Sequence, residues 1–423
     1  MGKLKKLFHN DYIFSILARL ITVAVGIFHA AFLARFLGPS LKGVSASINS
    51  AVSVGCIIVT GGIHQAFPYY RKSDPSKGFI DKFCSNVVII YAVLFVLGIG
   101  LFSVSPYGII TNGTILLIPL FGYEMIINYV FLIENPKLRN SVNVIAGFIE
   151  TFALFIFWVA LKPNNALMLV GISLSVIIRA VVSTKLLNFS FSFKAFDVKY
   201  LLGLLKFGFL PMLALLLTIL NARVDILMLN AYKSVSFADV GIYSVGVGLA
   251  EKALLIPDAI REILLGKLVY GKDTGEVSKA CRIGTFISFF VSICVLIFGN
   301  IVIAILYGVD YESAYTVTMI SSFGTIFMVY IKMISQYNIV YKMQKTNALL
   351  LMVSVGVNVI LNLALIPNMG ITGAAVATLV GHFTCGLCFI LFFMHATGEK
   401  FTNVVFMRRG DFEMLKSLIG RKK

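Results

Sequence analysis

The stretch NALLLMVSVGVNVILNLALI, residues 347–366, carries no charged side chain along its 20 residues. As an α-helix rising about 1.5 Å per residue it is roughly 30 Å long, the thickness of a membrane's hydrocarbon core. PNMG at 367–370 follows, and then ITGAAVATLVGHFTCGLCFILFFMHA at 371–396, again without Lys, Arg, Asp or Glu. Two apolar segments of membrane length joined by a short link with Pro and Gly read as a helical pair across a bilayer. They are too long for barrel strands and lack period-two alternation, so only helices satisfy their backbone in lipid.

The rest of the chain extends this reading. Of 423 residues, 59% are hydrophobic and 13% charged, an apolar share above that of soluble domains. Twelve spans are predicted, at about residues 12–34, 43–70, 83–104, 114–133, 141–161, 166–189, 201–231, 238–266, 280–306, 313–341, 347–366 and 371–396. The predicted fold class is an all-α integral membrane protein with an N-terminal lobe over 1–189 and a C-terminal lobe over 201–396. A cytoplasmic linker at 190–200 contains FSFKAFDVKY, and 397–423 form a basic cytoplasmic tail. Six spans per half imply parallel repeats related by a pseudo-two-fold axis normal to the membrane. In the tail, Phe412, Leu415 and Ile419 recur at helical spacing, as in a helix lying on the inner surface; a solvated tail is the alternative. Lys3, Lys5 and Lys6 precede the first span without a small-residue cleavage site, so that span is expected to be retained. The six cysteines lie in or beside spans, where packing is the expected role, and neither a disulfide framework nor a zinc site is predicted.

Charge sets the orientation. With the N-terminus inside, 26 of the 36 Lys and Arg residues fall in inner segments and only four, Arg35, Lys42, Lys162 and Lys233, in outer ones. That asymmetry places both termini in the cytoplasm and the protein in the cytoplasmic membrane. The net charge of +17 is then a topological and anionic-lipid signal, and no nucleic-acid partner is expected.

The other six cations lie inside spans: Arg19, Arg179, Arg223, Lys252, Arg261 and Lys332. So do six acids: Glu124, Glu150, Asp225, Glu251, Asp258 and Glu262. Each basic residue at mid-bilayer costs about 2.5–3.5 kcal/mol on insertion scales, so most of the six must face protein, water or an anion. Asp258, Arg261 and Glu262 read as a local ion-pair cluster, and Arg179 is positioned to snorkel. Arg19, Thr22, Gly26 and His29 form one stripe on the first helix. Asn49, Ser53, Cys56, Thr60 and His64 form another on the second, where packing through small residues is the alternative.

At LARFLGPSLKGVSASINSAVSVG (33–55), NARVDILMLNAY (221–232), VGIYSVGVGLAEKALLIPDAI (240–260) and NVILNLALIPNMGITGAAVATLV (358–380), the chain resembles Wzx-type polysaccharide or O-antigen repeat-unit flippases. These belong to the multidrug/oligosaccharidyl-lipid/polysaccharide (MOP) exporter superfamily. The resemblance implies two six-helix lobes facing a central cavity, alternating access, and a polyprenyl-pyrophosphate-linked oligosaccharide as substrate. Membrane lipids and polysaccharide-assembly proteins are the implied partners. A pyrophosphate diester carries about two negative charges, which assigns Arg19, Arg223, Lys252 and Lys332 to the substrate cavity together with His29, Asn49 and His64. Tyr69, Tyr243, Tyr330 and Tyr337 are sugar-facing candidates, with interfacial anchoring as their commoner role.

No GxxxxGK[ST] loop is present, which points to an ion gradient rather than ATP as the energy source. Asp225, Asn358, Asn362 and Thr378 offer hard oxygen ligands and resemble the sodium site of lipid-linked peptidoglycan precursor flippases. An acid stands there at the position of Asn362, so the departure removes a charge. Helix-to-helix hydrogen bonding is the alternative role, and proton coupling through Glu251 or Glu124 the competing one. No cofactor is expected besides Na+ or H+. No catalytic constellation is visible and the outer loops are short, so an enzyme such as a glycan polymerase or ligase is disfavoured. A MATE-like multidrug or metabolite antiporter is the alternative transporter. Reporter fusions test the topology: junctions after residues 76, 195 and 343 should report a cytoplasmic side, and those after 163 and 234 the opposite side.

Overall fold

In a computed structural model of the chain, the described residues are 11–104, 108–271 and 274–413; the side chains of 11–20, 103–104, 109, 266 and 269–270 fall outside that description. Among the described residues the structure is helical, without strands. Its helices are α1 (Asp11–Thr60), α2 (Ile63–Ser73), α3 (Lys77–Val104), α4 (Ile109–Glu134), α5 (Pro136–Ala160), α6 (Asn165–Leu186), α7 (Val198–Leu229), α8 (Phe237–Ala250), α9 (Leu255–Tyr270), α10 (Gly275–Leu306), α11 (Ala314–Val340), α12 (Gln344–Thr397) and the short α13 (Phe401–Val405).

Ten of these stretches are long and apolar enough to cross a membrane, the eighth span combining α8 with the start of α9. Two are too long for one crossing. At 50 and 54 residues, α1 and α12 are each roughly two and a half times the hydrocarbon thickness in length. Each is divided by a glycine with non-helical backbone, Gly38 (φ 68°, ψ 172°) before Pro39 and Gly370 (φ 54°, ψ −131°) after Pro367. A side chain is strained at these positive φ values, so glycine is the residue that permits the turn. Dividing both helices there yields the twelve spans read from the sequence.

The chain separates into two compact units, residues 1–219 and 220–423, and the division falls within α7. In the first unit, the span predicted over 43–70 is interrupted at Gly61 and Gly62 (φ 53° and 73°) between α1 and α2. A Cβ built on Gly62 would lie 2.1 Å from the Gly208 carbonyl oxygen of α7, and one on Gly208 would lie 2.3 Å from the Gly62 carbonyl. Two backbones therefore touch where no side chain fits. The linker is fastened to the start of α3. Ser190 donates its N–H to Asp81 (2.7 Å), Asn86 donates to the Ala195 carbonyl (2.8 Å) and accepts from the Asp197 N–H (3.0 Å), and Lys82 pairs with Asp197 at 2.9 Å.

In the second unit, a 3₁₀ turn over Glu251–Leu254 interrupts the eighth span between α8 and α9. The described part of the tail docks on α10. Arg282 donates to both carboxylate oxygens of Asp411 (2.6 and 3.0 Å) with both side chains buried, Val404 is buried, and Phe412 meets the edge of Phe286. Leu415 and Ile419 lie outside the described residues. The tail as far as Glu413 is thus a docked segment rather than a solvated one, because a desolvated guanidinium requires the carboxylate that Asp411 brings.

Overpacking at the crossing of Gly62 and Gly208 has a measurable cost. Gly62→Ala should destabilise the protein by about 1–3 kcal/mol, since both the contact and the φ oppose a methyl group. A melting temperature in detergent equal to that of the parent would contradict this contact.

Candidate functional site

Four helices of the first unit turn polar faces toward one another. Thr22, Gly26 and His29 come from α1, Glu124, Asn128 and Tyr129 from α4, Arg139, Asn143, Gly147 and Glu150 from α5, and Ser175 and Arg179 from α6. Apart from Tyr129, which adjoins Asn128, the residues of each set are three or four apart, the spacing that keeps side chains on one helix face. Together they line a cavity of about 490 Å³.

Local sequence positions the parts. Glu134 ends α4 and is held by Arg71 at 2.6 and 3.0 Å. Asn135 then caps α5 by accepting the Leu138 N–H, with Pro136 opening the helix. Arg139 is thereby set in the first turn of α5. It donates to the side-chain oxygens of Asn128 (2.5 Å) and Asn140 (3.1 Å), which are amides rather than carboxylates. Asn128 in turn donates to Glu124 (2.6 Å) and Asn143 (3.2 Å).

Arg179 donates to Glu124 at 2.8 Å and so is paired rather than snorkelling. Deeper in the cavity, Glu150 accepts the Ser175 N–H (3.1 Å) and faces His29 Nδ1 at 3.3 Å, an ion-pair distance without hydrogen-bond alignment. With His29 neutral, two guanidiniums and two carboxylates balance. The cavity therefore offers an anion one guanidinium whose hydrogen bonds go to neutral groups, and it offers hydroxyl groups several amides and carboxylates.

A second constellation lies in the other unit. Asp225 of α7, 3% exposed, accepts at Oδ1 from Asn362 (2.9 Å) and at Oδ2 from Thr378 (2.7 Å) and Tyr243 (3.0 Å). Asn362 also donates to the Asn358 side-chain oxygen at 2.5 Å, and Asn358 donates to Thr378 at 3.4 Å. The four residues proposed from sequence as ion ligands are together, joined by a tyrosine whose position had suggested a sugar contact. Tyr243 is fully buried, and Tyr330 and Tyr337 are buried too, so of the four candidates only Tyr69 is exposed. Asn362 Oδ1 has no hydrogen-bond partner. A small space of about 30 Å³ beside the cluster is bordered by Asp225, Thr378, Glu251 and His382, enough for a water or a bare cation.

Sodium fits this donor set in kind. One carboxylate, the orphaned Asn362 oxygen, the Asn358 oxygen and the Thr378 hydroxyl are hard ligands with a single negative charge, which suits a monovalent ion better than a divalent one.

The other sequence candidates are dispersed. Arg19 lies in α1, but its side chain falls outside the described residues. His29 and Glu124 line the cavity. His64 is buried one layer behind it, its ring edge against Tyr129 and its Nε2 3.2 Å from Gln65. Asn49 is half-buried and is not among the lining residues. Lys332 is not an unpaired cation: it donates to Asp258 at 2.7 Å, and Asp258 also has Arg261 at 3.7 Å. Arg223 is half-buried and Lys252 sits in the 3₁₀ turn; neither has a hydrogen-bond or ion-pair partner among the described residues.

The span predicted over 141–161 leaves Arg139 among the inner-segment cations, whereas α5 begins at Pro136. The stripe Arg139, Asn143, Gly147 and Glu150 was the signal that places it on the cavity face.

No family model matches the chain, and no curated protein sequence matches it. Among solved structures, it is similar to the lipid II flippase MurJ in an inward closed conformation, at 16% identity over 96% of this chain and 91% of that one, with a TM-score of 0.72. It is also similar to an inward-facing multidrug resistance MATE family transporter of the MOP superfamily, at 12% identity over 90% and 98% of the two chains, TM-score 0.68. A Vibrio cholerae MATE transporter matches at 14% identity over 95% and 99%, TM-score 0.60. The chain therefore has the fold of the MOP superfamily.

The pair of Arg179 and Glu124 is mostly buried, so losing one partner strands the other. Arg179→Met should cost about 3 kcal/mol in unfolding stability, and adding Glu124→Gln should restore most of it. A double variant no more stable than the single would show that the pair is not coupled.

Proposed function

We propose that this chain is a flippase that carries a polyprenyl-pyrophosphate-linked oligosaccharide from the inner to the outer leaflet of the cytoplasmic membrane, with both termini inside. The observation that carries the reading is the polar cavity in the first unit, in which amides hold Arg139. A guanidinium with neutral partners suits a phosphate, and its planar fork matches phosphate geometry. Asn128, Asn143, Glu124 and Glu150 provide the amide and carboxylate partners that sugar hydroxyls require, and Tyr129 an apolar ring face. A shared fold with a lipid II flippase supports the same class of cargo.

Alternating access would expose this cavity to one side of the membrane and then the other, with the isoprenoid tail left in the bilayer. Glycines at the bends, Gly38, Gly61, Gly62 and Gly370, are where the backbone leaves helical geometry. Energy would come from a cation gradient acting on Asp225. Its surroundings are neutral donors, so a bound Na+ or a proton changes the net charge of the cluster and with it the packing of α7 against α12. A multidrug antiporter on the same fold is the second reading, but the balanced charges of the cavity favour it less, since organic cations call for uncompensated acids.

The test uses purified protein in liposomes and a fluorescent polyprenyl-pyrophosphate oligosaccharide whose outer-leaflet exposure is read by a membrane-impermeant quencher. Flipping is expected, and Arg139→Gln should slow it at least about tenfold, the effect of losing a charged hydrogen bond worth roughly 1.5–3 kcal/mol. Imposing a sodium gradient and then a proton gradient identifies the coupling ion, and Asp225→Asn should abolish the response to either. Efflux of organic cations without lipid flipping would instead establish the antiporter.

A further inference from the structure

On α9, Ile256, Ile260, Ile263 and Lys267 recur along one face; on α10, Lys279, Ile283 and Ile287 do the same. The two faces enclose a groove of about 360 Å³ whose walls are aliphatic and whose polar groups sit at one end. That end is next to the connection between the helices and holds Lys267, Glu276 and Lys279. Along α9 the eleven steps from Ile256 to Lys267 rise roughly 16 Å, about the depth of one leaflet's hydrocarbon. In the proposed orientation the charged end lies at the inner surface of the membrane, and Ile256 and Ile263 are 54% and 64% exposed.

We infer that this groove binds an anionic glycerophospholipid of the inner leaflet, with one acyl chain along the isoleucines and the phosphate at Lys279 and Lys267. Charge complementarity selects that occupant. Glu276 is committed to Lys267 at 2.5 Å, so among the described residues the rim presents no uncommitted acid to a choline or ethanolamine group. Lys279 has no carboxylate within ion-pairing distance among the described residues, and Asp411, on which it acts electrostatically, is held by both arms of Arg282. The described residues of the rim therefore keep a net positive charge, carried by Lys279, at the depth of the lipid phosphates.

Protein in neutral detergent is titrated with phosphatidylglycerol or phosphatidylcholine, and native mass spectrometry counts the bound lipid. Phosphatidylglycerol should bind about fivefold more tightly than phosphatidylcholine, the effect of the one rim lysine, Lys279, that no carboxylate compensates. The Lys267→Gln/Lys279→Gln double variant should lose this preference. Ile263→Trp, which fills the groove from an exposed position, should remove the tight adduct while leaving the melting temperature in phosphatidylcholine unchanged. Preference retained in the double variant overturns the inference. So does displacement of phosphatidylglycerol by a polyprenyl phosphate at lower concentration than phosphatidylglycerol itself binds, which would assign the groove to an isoprenoid chain. A dimer that phosphatidylglycerol does not dissociate overturns it in favour of a second copy. None of these readouts depends on flipping, so the proposed function stands or falls separately.

Discussion

A charge in the hydrocarbon core of a membrane has no water to solvate it, and the packing of this chain is organised around that penalty. Arg179 meets Glu124, Lys332 and Arg261 share Asp258, and Asp225 is surrounded by three donors. These contacts set which faces of the helices meet, because a helix rotated away from its partner would leave an ion stranded. Buried pairs of this kind specify register more than they add net stability, since desolvation offsets much of their attraction.

Two groups of the first unit depart from this pattern. Arg139 is solvated by amides inside a cavity, and His29 stands beside Glu150 without hydrogen-bond alignment. In the other unit the solution is drier. Asp225 is almost fully enclosed and all its partners are neutral, so only an entering cation or proton alters the charge of the cluster. The open cavity and the closed carboxylate thus differ in access, the first being a space of about 490 Å³ and the second bordering one of about 30 Å³.

Backbone breaks are equally local in cause. Gly38, Gly61, Gly62 and Gly370 take positive φ values that disfavour other residues, and Gly62 and Gly208 allow two main chains to touch. A span drawn by length runs across the break over 43–70, although apolar character falls at the two glycines, where IHQAFPYY (63–70) brings in His, Gln and Pro. The docked tail was hidden for a different reason. Asp411 reads as one more charge in a polar segment until Arg282, 129 residues earlier, is found against it.

What the sequence determined by itself follows from properties confined to about 20 residues: the apolar length of each span, the helical class, the polar stripe of Thr22, Gly26 and His29, and the shared face of Asn358 and Asn362. Tertiary structure alone decided the pairings. Glu124 and Arg179 are 55 residues apart and Asp225 and Thr378 are 153 apart, so their contact depends on the depth and rotation of separate helices. For the same reason Arg139 changed from a loop cation to a cavity residue and Lys332 from a free cation to a partner of Asp258. The cost of burying a charge is legible in any one helix, but the group that offsets it lies on another.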